Sequence, residues 1–542
     1  MALRSSLATP FKSMDFRLLW TATLLSNLGG LIQGVGAGWM MVTIAHSDRM
    51  VALVQAATTL PIMIFSLAAG ALADSFDRRR LMLVAQCSMM AISVALALLA
   101  LADQMTPWLL LLFTFLIGCG TALHNPSWQS SMGDLVPRED IPAAVTLNSM
   151  AFNLMRSVGP AFGGLIVAAG GGAAAFAFNA MSYVPLIFAL TRWKNNSMAP
   201  ILPREAFGQA IWAGLSYVTM SPNLLKVICR GFVFGLAAVA VLALLPLVAR
   251  DLSGDGAIVY GLLLGSFGIG AISGALLNTR IRERYNNEVI ARAAFLGFAL
   301  SAILVAQSTQ VWLSCLCLLP AGACWVLALS LFNVTVQLST PRWVVGRALS
   351  LYQTATFGGM AAGSWFWGSV AAAHGPTVAL IASGIALVVG AALGIWFALP
   401  EFVALNLDPL NEFKEPALRL DLKARSGPVM IMVDYDIAQD DVPAFLQAMT
   451  QRRRVRIRDG ARQWALLRDL ENPNIWTETY HVPTWVEYIR HNMRRTQADA
   501  EITEKLRALH RSESLPKVHR MIERQIVPLH DDMPIKENPD VP

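Results

Sequence analysis

Twelve long apolar stretches follow one another in the first 400 residues, and they limit the possible folds more than any other feature of the chain. An α-helix of about 20 mainly apolar residues spans the hydrocarbon core of a bilayer. The stretches cover approximately residues 16–45, 51–73, 80–102, 108–132, 142–169, 173–192, 224–249, 257–279, 288–307, 311–338, 344–373 and 377–399. Charged residues make up 14% of the chain, whereas soluble domains contain about 25%. The sequence therefore predicts an all-α membrane protein with twelve transmembrane helices.

The basic residues between these stretches predict the orientation. Nearly all of them fall on the side of the two termini, and Arg49 and Arg250 are the exceptions. Because lysine and arginine are retained on the cytoplasmic side, we expect both termini in the cytoplasm. The first stretch is too long for a signal-peptide core, so we expect an uncleaved helix. The net charge of +6 reflects these loops and does not indicate nucleic-acid binding.

The six cysteines all fall in apolar stretches, and their spacing matches neither a metal site nor a disulfide framework. We therefore expect no metal and no cofactor. Changes in composition along the chain predict five parts. They are six-helix bundles at residues 1–192 and 224–400, linkers at 193–223 and 401–428, and a soluble domain at 429–542. Within the first linker, the spacing of apolar residues from Phe207 to Val218 predicts a helix on the inner membrane surface.

A charged turn follows the second stretch. It reads Gly70-Ala-Leu-Ala-Asp74-Ser-Phe-Asp77-Arg78-Arg79-Arg80, and a weaker copy, Gly274-Ala-Leu-Leu-Asn278, follows the eighth stretch. The turn resembles the loop between helices two and three of the major facilitator superfamily, with Ser75 and Asp77 as departures from the family pattern. The resemblance implies two bundles that rock about a central site. It also implies a gating role for Gly70, Asp74, Arg78, Arg79 and Arg80. Taken alone, the arginines favour an ordinary cytoplasmic loop.

The fifth stretch contains Gly159-Pro160-Ala-Phe-Gly163-Gly164. Proline removes a backbone hydrogen bond and glycine allows close approach, so a kinked and tightly packed helix is expected. The motif also resembles the antiporter motif of exporters in this superfamily, which favours export. Residues around it, including Asn125-Pro126, Leu135-Val-Pro137 and Asn148-Ser149, resemble the transmembrane secretion effector branch, which includes the enterobactin exporter. The overall resemblance covers about residues 10–400, and it implies a bacterial inner (plasma) membrane as the location.

Polar side chains inside the spans are candidates for transport. A charge in the bilayer centre costs roughly 2.5–3.5 kcal/mol, so one that is kept there is a functional candidate. Arg156 and His124 are the ionisable candidates, and a structural role is an open alternative for both. The neutral candidates are Asn27, Gln33, Asn148, Asn153 and Tyr352. Such a lining favours a bulky amphipathic solute over a small ion. Protons are the expected coupling ion, although no Asp or Glu lies clearly inside a span.

The soluble domain shows the strand and helix order βαββαβ of a ferredoxin-like fold. Strands are predicted at 429–437, 463–470, 475–481 and near 518–527, and helices at 442–454 and 484–509. The basic run Arg452–Arg458 is interpreted as a solvated or lipid-facing surface. His481, His491, Tyr480 and Trp476 could border a small pocket, although surface and core roles are the simpler interpretation. The domain resembles dimeric α+β barrel proteins such as antibiotic-biosynthesis monooxygenases, which implies a partner, a ligand or self-association.

Together these features predict a secondary transporter that exports an organic solute, siderophore-like or drug-like, by proton antiport. Two alternatives stay open at this point. One is a membrane-tethered enzyme whose soluble domain acts on the transported compound, and the other is an importer of the same fold, because the rocking mechanism is symmetric.

Overall fold

The computed structural model describes residues 9–45, 47–137, 140–193, 207–253, 256–341, 343–400, 410, 413–423, 425–512 and 514–523. Within four helices it leaves some side chains undescribed, among them those of Asp74, Asn153 and Arg156. The described chain is mainly helical and carries a four-stranded sheet in its C-terminal part.

The helices of the first 400 residues match the apolar stretches. They are α1 (Met14–Ile44), α2 (Asp48–Ser75), α3 (Arg78–Leu101), α4 (Pro107–Leu135), α5 (Ile141–Arg192), α6 (Phe207–Thr219), α7 (Pro222–Ser253), α8 (Ala257–Arg284), α9 (Asn287–Gln307), α10 (Val311–Leu338), α11 (Val345–His374) and α12 (Pro376–Leu393). Among the described residues, ten segments are long and apolar enough to cross a membrane, one in each of these helices except α6 and α11. Since α11 has 30 residues and α5 contains two of the expected spans, the helices correspond to the twelve that the sequence predicts.

The fifth and sixth predicted spans form a hairpin within α5. Gly170 and Gly171 leave helical geometry, and Gly171 has a φ of +69°, a conformation that glycine adopts without strain. Along α1, Leu31 and Val35 face Gly159 and Gly163, so this part of α5 runs parallel to α1. Gly29 and Gly36 of α1 face Ser182 and Ala175, so the other part runs antiparallel. The two parts of α5 therefore run in opposite directions.

Asp77 explains one departure from the family pattern in the charged turn. It is the N-cap of α3, and its Oδ1 accepts a hydrogen bond from the Arg80 backbone N–H at 3.2 Å. A carboxylate at this position satisfies a free N–H of the first turn and interacts favourably with the positive end of the helix dipole. The acid therefore starts the third helix directly after the second.

The chain forms two compact units. The first comprises residues 1–198, 225–336 and 349–401, and the second comprises 199–224, 337–348 and 402–542. The first contains the membrane helices, whose N-terminal half is α1–α5 and whose C-terminal half is α7–α12. The second contains α6, the segment between α10 and α11, and the C-terminal domain.

The C-terminal domain is a sheet covered on one face by helices. Its elements are β1 (Val429–Asp436), α13 (Val442–Arg458), β2 (Arg462–Arg468), β3 (Ile475–Val482), α14 (Trp485–Met493), α15 (Gln497–Ala508) and β4 (Lys517–Ile522). The strands are antiparallel in the order β2-β3-β1-β4, as expected for the predicted βαββαβ arrangement. Alternate residues of β1, from Val429 to Tyr435, are buried and pack in one core with Phe445, Trp485 and Leu506.

The second long helix expected in this domain is interrupted. Instead of one helix over 484–509, the chain forms α14 and α15, because Thr496 and Asp499 cap the start of α15. The Asp499 Oδ2 accepts from the Thr496 backbone N–H at 3.0 Å, and the Thr496 hydroxyl accepts from the Asp499 backbone N–H at 3.4 Å. This reciprocal pair is a capping box, and it ends α14 three residues earlier.

The interpretation of Arg452–Arg458 as a solvated surface is wrong for two of its arginines. Arg452 and Arg456 are 7% and 6% exposed, and both bind Glu478, which is fully buried. Arg456 Nε lies 3.2 Å from Glu478 Oε1, Arg452 Nε lies 3.5 Å from Oε2, and Trp464 Nε1 donates to Oε1 at 3.1 Å. Because the two arginines are four residues apart, they share the inner face of α13. One face of the basic run therefore belongs to the core.

Candidate transport site

A cavity of about 260 Å³ lies between the two halves of the membrane unit. Helices α1, α2 and α5 contribute Gly30, Leu31, Gly34, Val35, Gly38, Val51, Val54, Gln55, Thr58 and Pro160, and helices α7 and α8 contribute Leu242, Ala243, Pro246, Tyr260, Leu264 and Phe267. None of these lining residues carries a charge. The cavity thus offers an apolar surface with a few neutral polar groups, as is usual for a small-molecule site.

Two polar groups of the cavity are available to a ligand. The hydroxyl of Tyr260 and the side-chain amide of Gln55 make no hydrogen bond with the described residues, and Tyr260 is only 6% exposed. Thr58 is different, because its hydroxyl donates to the Gln55 carbonyl at 2.8 Å. Both groups are therefore able to form hydrogen bonds with a molecule in the cavity.

The glycines of the helix-five motif bring three helices together beside the cavity. A Cβ added at Gly163 would lie 3.0 Å from the Val35 side chain on α1, and one added at Gly164 would lie 2.9 Å from the Gly261 Cα on α8. Gly159 faces Leu31 of α1, and Pro160 lines the cavity itself. The motif therefore packs the N-terminal half directly on the C-terminal half.

Two further contacts join the halves at separate levels along α2. Asp48 Oδ1 pairs with Arg250 Nη1 at 3.1 Å, and the hydroxyls of Ser66 and Thr354 are 2.9 Å apart. The cavity-lining residues of α2, from Val51 to Thr58, lie between Asp48 and Ser66 in the chain. A solute leaving the cavity along α2 in either direction would pass one of these two contacts.

The arginines of the charged turn bind within the N-terminal half. Arg78 Nη1 donates to Asp134 Oδ2 at 2.8 Å and to the Ser130 carbonyl at 2.9 Å, both on α4. Arg79 donates to the carbonyls of Leu190 and Thr191 at the end of α5, at 2.7 and 2.8 Å. The two arginines thus tie the start of α3 to the ends of α4 and α5.

The other residues of the turn make smaller contributions to the described contacts. Arg80 is exposed, and its backbone N–H binds the cap Asp77. Gly70 and Asp74 lie in the last turns of α2, but the Asp74 side chain lies outside the described part of the chain. The predicted gating role of the turn stays a prediction.

The predicted transport candidates are spread over several helices. His124 is 5% exposed in α4 and its Nδ1 has no hydrogen-bond partner among the described residues. Gln33 accepts from Asn179 and from the Ser93 hydroxyl in a buried network of the N-terminal half. Asn148 accepts from Trp128 Nε1 at 3.0 Å, and the Tyr352 hydroxyl donates to the Leu329 carbonyl at 3.4 Å.

Of the remaining candidates, Asn27 lies half-buried in α1, and the side chains of Asn153 and Arg156 lie outside the described part of α5. The cavity is instead lined by Gln55 and Tyr260, which the sequence reasoning missed. Both are polar residues inside apolar stretches, which is the signal that could have identified them. The sequence does not show which side of α2 or α8 turns toward the other half.

Comparison with known proteins identifies the family. The family model described as "transmembrane secretion effector" matches residues 5–526, which includes most of the C-terminal domain. The enterobactin exporter of Escherichia coli O1:K1 is 25% identical over 377 residues, covering 69% of this chain and 89% of the exporter. The staphyloferrin A transporter of Staphylococcus aureus is 27% identical over 184 residues, covering 32% of this chain and 46% of that transporter.

Solved structures show the same fold at low identity. A bacterial homolog of the human lysosomal transporter Spinster, in an inward-facing conformation, has a TM-score of 0.58 at 14% identity, covering 72% of this chain and 97% of its own. The nucleoside transporter NupG has a TM-score of 0.59 at 13% identity, covering 71% and 99%. The predicted major facilitator fold and the prediction of a transporter instead of an enzyme are confirmed. The chain belongs to the transmembrane secretion effector family of major facilitator transporters.

Proposed function

We propose that the protein exports an amphipathic, largely uncharged organic solute through the cavity between its two halves. The observation that carries this proposal is the lining in the described part of the chain, which is apolar and without charged side chains. It also carries two neutral groups, at Gln55 and Tyr260, that make no hydrogen bond with the described residues. A charged solute would lose its hydration there without gaining an opposite charge. The relatives named as enterobactin exporter and staphyloferrin A transporter favour siderophore-like molecules among the candidates.

The contacts on either side of the cavity support an alternating-access cycle. With both termini in the cytoplasm, the Asp48–Arg250 contact lies toward the outer face and the Ser66–Thr354 contact toward the inner face. Opening to one side breaks one contact and keeps the other, while α5 and α8 pivot where Gly164 meets Gly261. Both contacts are small, so neither holds the transporter permanently in one state.

The protein would take its energy from the proton gradient, with His124 as the group that exchanges protons. The buried Nδ1 of His124, which has no hydrogen-bond partner among the described residues, supports this role, because a neutral imidazole nitrogen can take up and release a proton. Its helix, α4, contacts α2 closely at Gly118 and Pro61, and α2 lines the cavity. A change in the charge of His124 would therefore act one helix away from the solute.

The direct test is uptake into inverted membrane vesicles, in which an exporter accumulates its substrate. We expect uptake of at least one member of a panel of metal-free siderophores and uncharged amphipathic drugs. We also expect this uptake to collapse when a protonophore removes the pH gradient. Uptake into right-side-out vesicles instead would identify an importer, and preferential uptake of polyanionic members of the panel would contradict the proposed substrate class.

Removing the polar groups of the cavity should weaken substrate binding. In Tyr260→Phe and in Gln55→Leu the apparent KM should rise about 2- to 10-fold, because a neutral hydrogen bond contributes about 0.5–1.5 kcal/mol. Transport kinetics at matched amounts of protein provide the measurement. Tyr285→Phe is the control, because Tyr285 is exposed just after α8. An unchanged KM in both cavity variants would exclude these groups from the substrate site.

Replacing the buried histidine should uncouple transport from the proton gradient. In His124→Gln, accumulation of substrate in inverted vesicles is expected to fall to the level that a protonophore gives in the parent protein. Exchange of labelled for unlabelled substrate without a gradient should persist. His374→Gln is the matched control, because His374 is exposed at the end of α11. Full gradient-driven accumulation in His124→Gln would assign proton coupling to another group.

A further inference from the structure

The second compact unit joins the C-terminal domain to two segments that lead into membrane helices. One segment is α6, which is separated by two residues from Pro222, the first residue of α7. The other is the stretch between α10 and α11, which contains Trp343 and leads into α11 at Val345. These two segments also touch each other, since a Cβ added at Gly214 of α6 would lie 2.7 Å from the Arg347 Cβ.

Two aromatic side chains on these segments make cation–π contacts with two arginines of the C-terminal domain. The rings of Tyr217 and Trp343 meet edge to face, with their centroids 5.8 Å apart. The Arg458 guanidinium lies 5.3 Å from the centre of the Tyr217 ring, and the Arg494 guanidinium lies 4.2 Å from the centre of the Trp343 ring. Tyr217 is only 4% exposed. Cation–π attraction is stronger when water is excluded in this way.

Contacts within the C-terminal domain hold both arginines in position. Arg458 pairs with Asp459 at 2.9 Å and with Asp499 at 3.0 Å. Arg494 Nη1 donates to the Asp459 carbonyl at 3.4 Å. The guanidinium groups are thus oriented by the domain before they meet the rings, which lowers the entropy cost of the contact. We name this set of four side chains, Tyr217, Trp343, Arg458 and Arg494, the aromatic clamp.

The two segments of the clamp lead into helices that pack closely on each other. A Cβ added at Gly235 of α7 would lie 2.5 Å from the Thr356 carbonyl oxygen of α11, and one added at Gly359 of α11 would lie 2.4 Å from the Phe232 carbonyl oxygen of α7. Helix α7 lines the cavity through Leu242 and Pro246. Helix α11 contacts the N-terminal half through Thr354. Movement of this pair is therefore part of any opening of the cavity.

We propose that the C-terminal domain is a built-in inhibitor of the transport cycle, which acts by clamping the segments that precede α7 and α11. With the aromatic clamp closed, these two segments are tied to one rigid domain, and the α7–α11 pair changes position less often. When the clamp opens, the pair moves freely and transport speeds up. This regulation rests on the proposed transport function, but the clamp itself can be tested without any substrate.

The first test uses the full chain with a site for a specific protease inserted between residues 405 and 406. After cleavage, the parent C-terminal domain should remain bound to the membrane part through size-exclusion chromatography in detergent. In the double variant Tyr217→Leu, Trp343→Leu it should separate. The conservative double variant Tyr217→Phe, Trp343→Phe keeps both aromatic faces and should retain the domain. Because the replaced residues lie outside the C-terminal domain, its own folding is not at risk.

The second test measures hydrogen–deuterium exchange of α7 and α11 in the uncleaved proteins. Exchange in these helices should be faster in the leucine variant than in the parent and the phenylalanine variant. Where transport is measured, its initial rate should rise roughly fivefold in the leucine variant, at the lower end of typical allosteric coupling. Retention of the domain in the leucine variant would overturn the clamp. Release with unchanged exchange, or with slower transport, would overturn the inhibition. A parent protein that transports nothing would count against the proposed function alone.

Discussion

Replacing Glu478 with alanine is expected to destabilise the C-terminal domain by about 3–5 kcal/mol, the usual cost of removing one partner from a buried ion pair. Glu478 is fully buried between Arg456 and Arg452, which are themselves 6% and 7% exposed. Its removal leaves two buried guanidinium groups without their shared carboxylate and takes the acceptor from Trp464 Nε1. The described side-chain partners of Glu478 all lie within the C-terminal domain.

The measurement is thermal or denaturant unfolding of the full-length protein in detergent. Unfolding of the C-terminal domain is monitored by protease cleavage within it. Glu471→Ala is the matched control, because Glu471 is exposed on the turn before β3, and its replacement should change the free energy of unfolding by less than about 0.5 kcal/mol. A loss below about 1 kcal/mol in Glu478→Ala would mean that the two arginines find other partners or reach water.

The same carboxylate gives the domain a pH dependence of known sign. Burial alone would raise the pKa of Glu478, but the charges of Arg456 and Arg452 outweigh it and lower the pKa below its ordinary value. A carboxyl whose pKa is lower in the folded state stabilises fully above its unfolded pKa of about 4.3, and this stabilisation is lost as the pH falls through the folded pKa. Acid should therefore unfold the parent domain, and Glu478→Gln should remove this part of the acid sensitivity.

A second buried carboxyl acts in the opposite direction, so the comparison with Glu478→Gln is needed. Burial raises the pKa of Asp459 to about 6 despite the neighbouring Arg458. Protonated Asp459 therefore stabilises the folded domain at low pH, and this stabilisation is lost as the pH rises through about 6. The difference between the parent and Glu478→Gln cancels the Asp459 contribution and isolates that of Glu478.

The other large effect is expected at Gly164, where Gly164→Ala should abolish most transport while leaving the protein in the membrane. The added Cβ would lie 2.9 Å from the Gly261 Cα and 3.0 Å from the Ala257 carbonyl oxygen. Both are backbone atoms of α8, so the steric clash can be relieved only if α5 and α8 move apart. Overpacking of this kind costs about 1–3 kcal/mol, and about 1.4 kcal/mol changes an equilibrium constant tenfold. We expect a loss of about tenfold or more in the initial rate.

The control for Gly164→Ala is Gly133→Ala in α4, where the nearest atom to an added Cβ is the Ile141 Cδ1 at 3.9 Å. Both variants should reach the membrane in equal amounts, since alanine favours helices. Transport by Gly133→Ala should match the parent. Parental rates in Gly164→Ala would show that the two helices separate easily and that their close approach is not needed for the cycle.

The membrane fold was predictable because a bilayer leaves few solutions for a long apolar segment. Length and hydropathy located the helices, and the glycines from Gly159 to Gly164 correctly indicated a tightly packed part of α5. The break between α14 and α15 was missed, although Thr496 and Asp499 have capping-box spacing, because the residues around it include neither glycine nor proline to mark a helix end. The capping box at Thr496 and Asp499 therefore starts a new helix at this point.

The cavity could not be derived from the sequence, because its residues are set by the rotation of each helix about its own axis. Gln33 and Gln55 look equivalent in the sequence, yet Gln33 binds Asn179 inside one half and Gln55 lines the cavity. Similarly, Arg452 and Arg453 are neighbours in a basic run, but only the first binds Glu478 in the core. Which side chain faces the cavity or the core depends on the elements that pack against each helix in the folded protein.

The glycine turn within α5 has a consequence for how the protein is made. Gly170 and Gly171 join two antiparallel spans without any hydrophilic loop, so there is nothing polar for the translocation machinery to carry across the bilayer. The two spans can therefore leave the translocon as one preformed helical pair, with backbone hydrogen bonds satisfied before lipid is reached. Epitopes or reporter domains inserted at this turn would have to be translocated on their own, and they would disturb biogenesis before they could report topology.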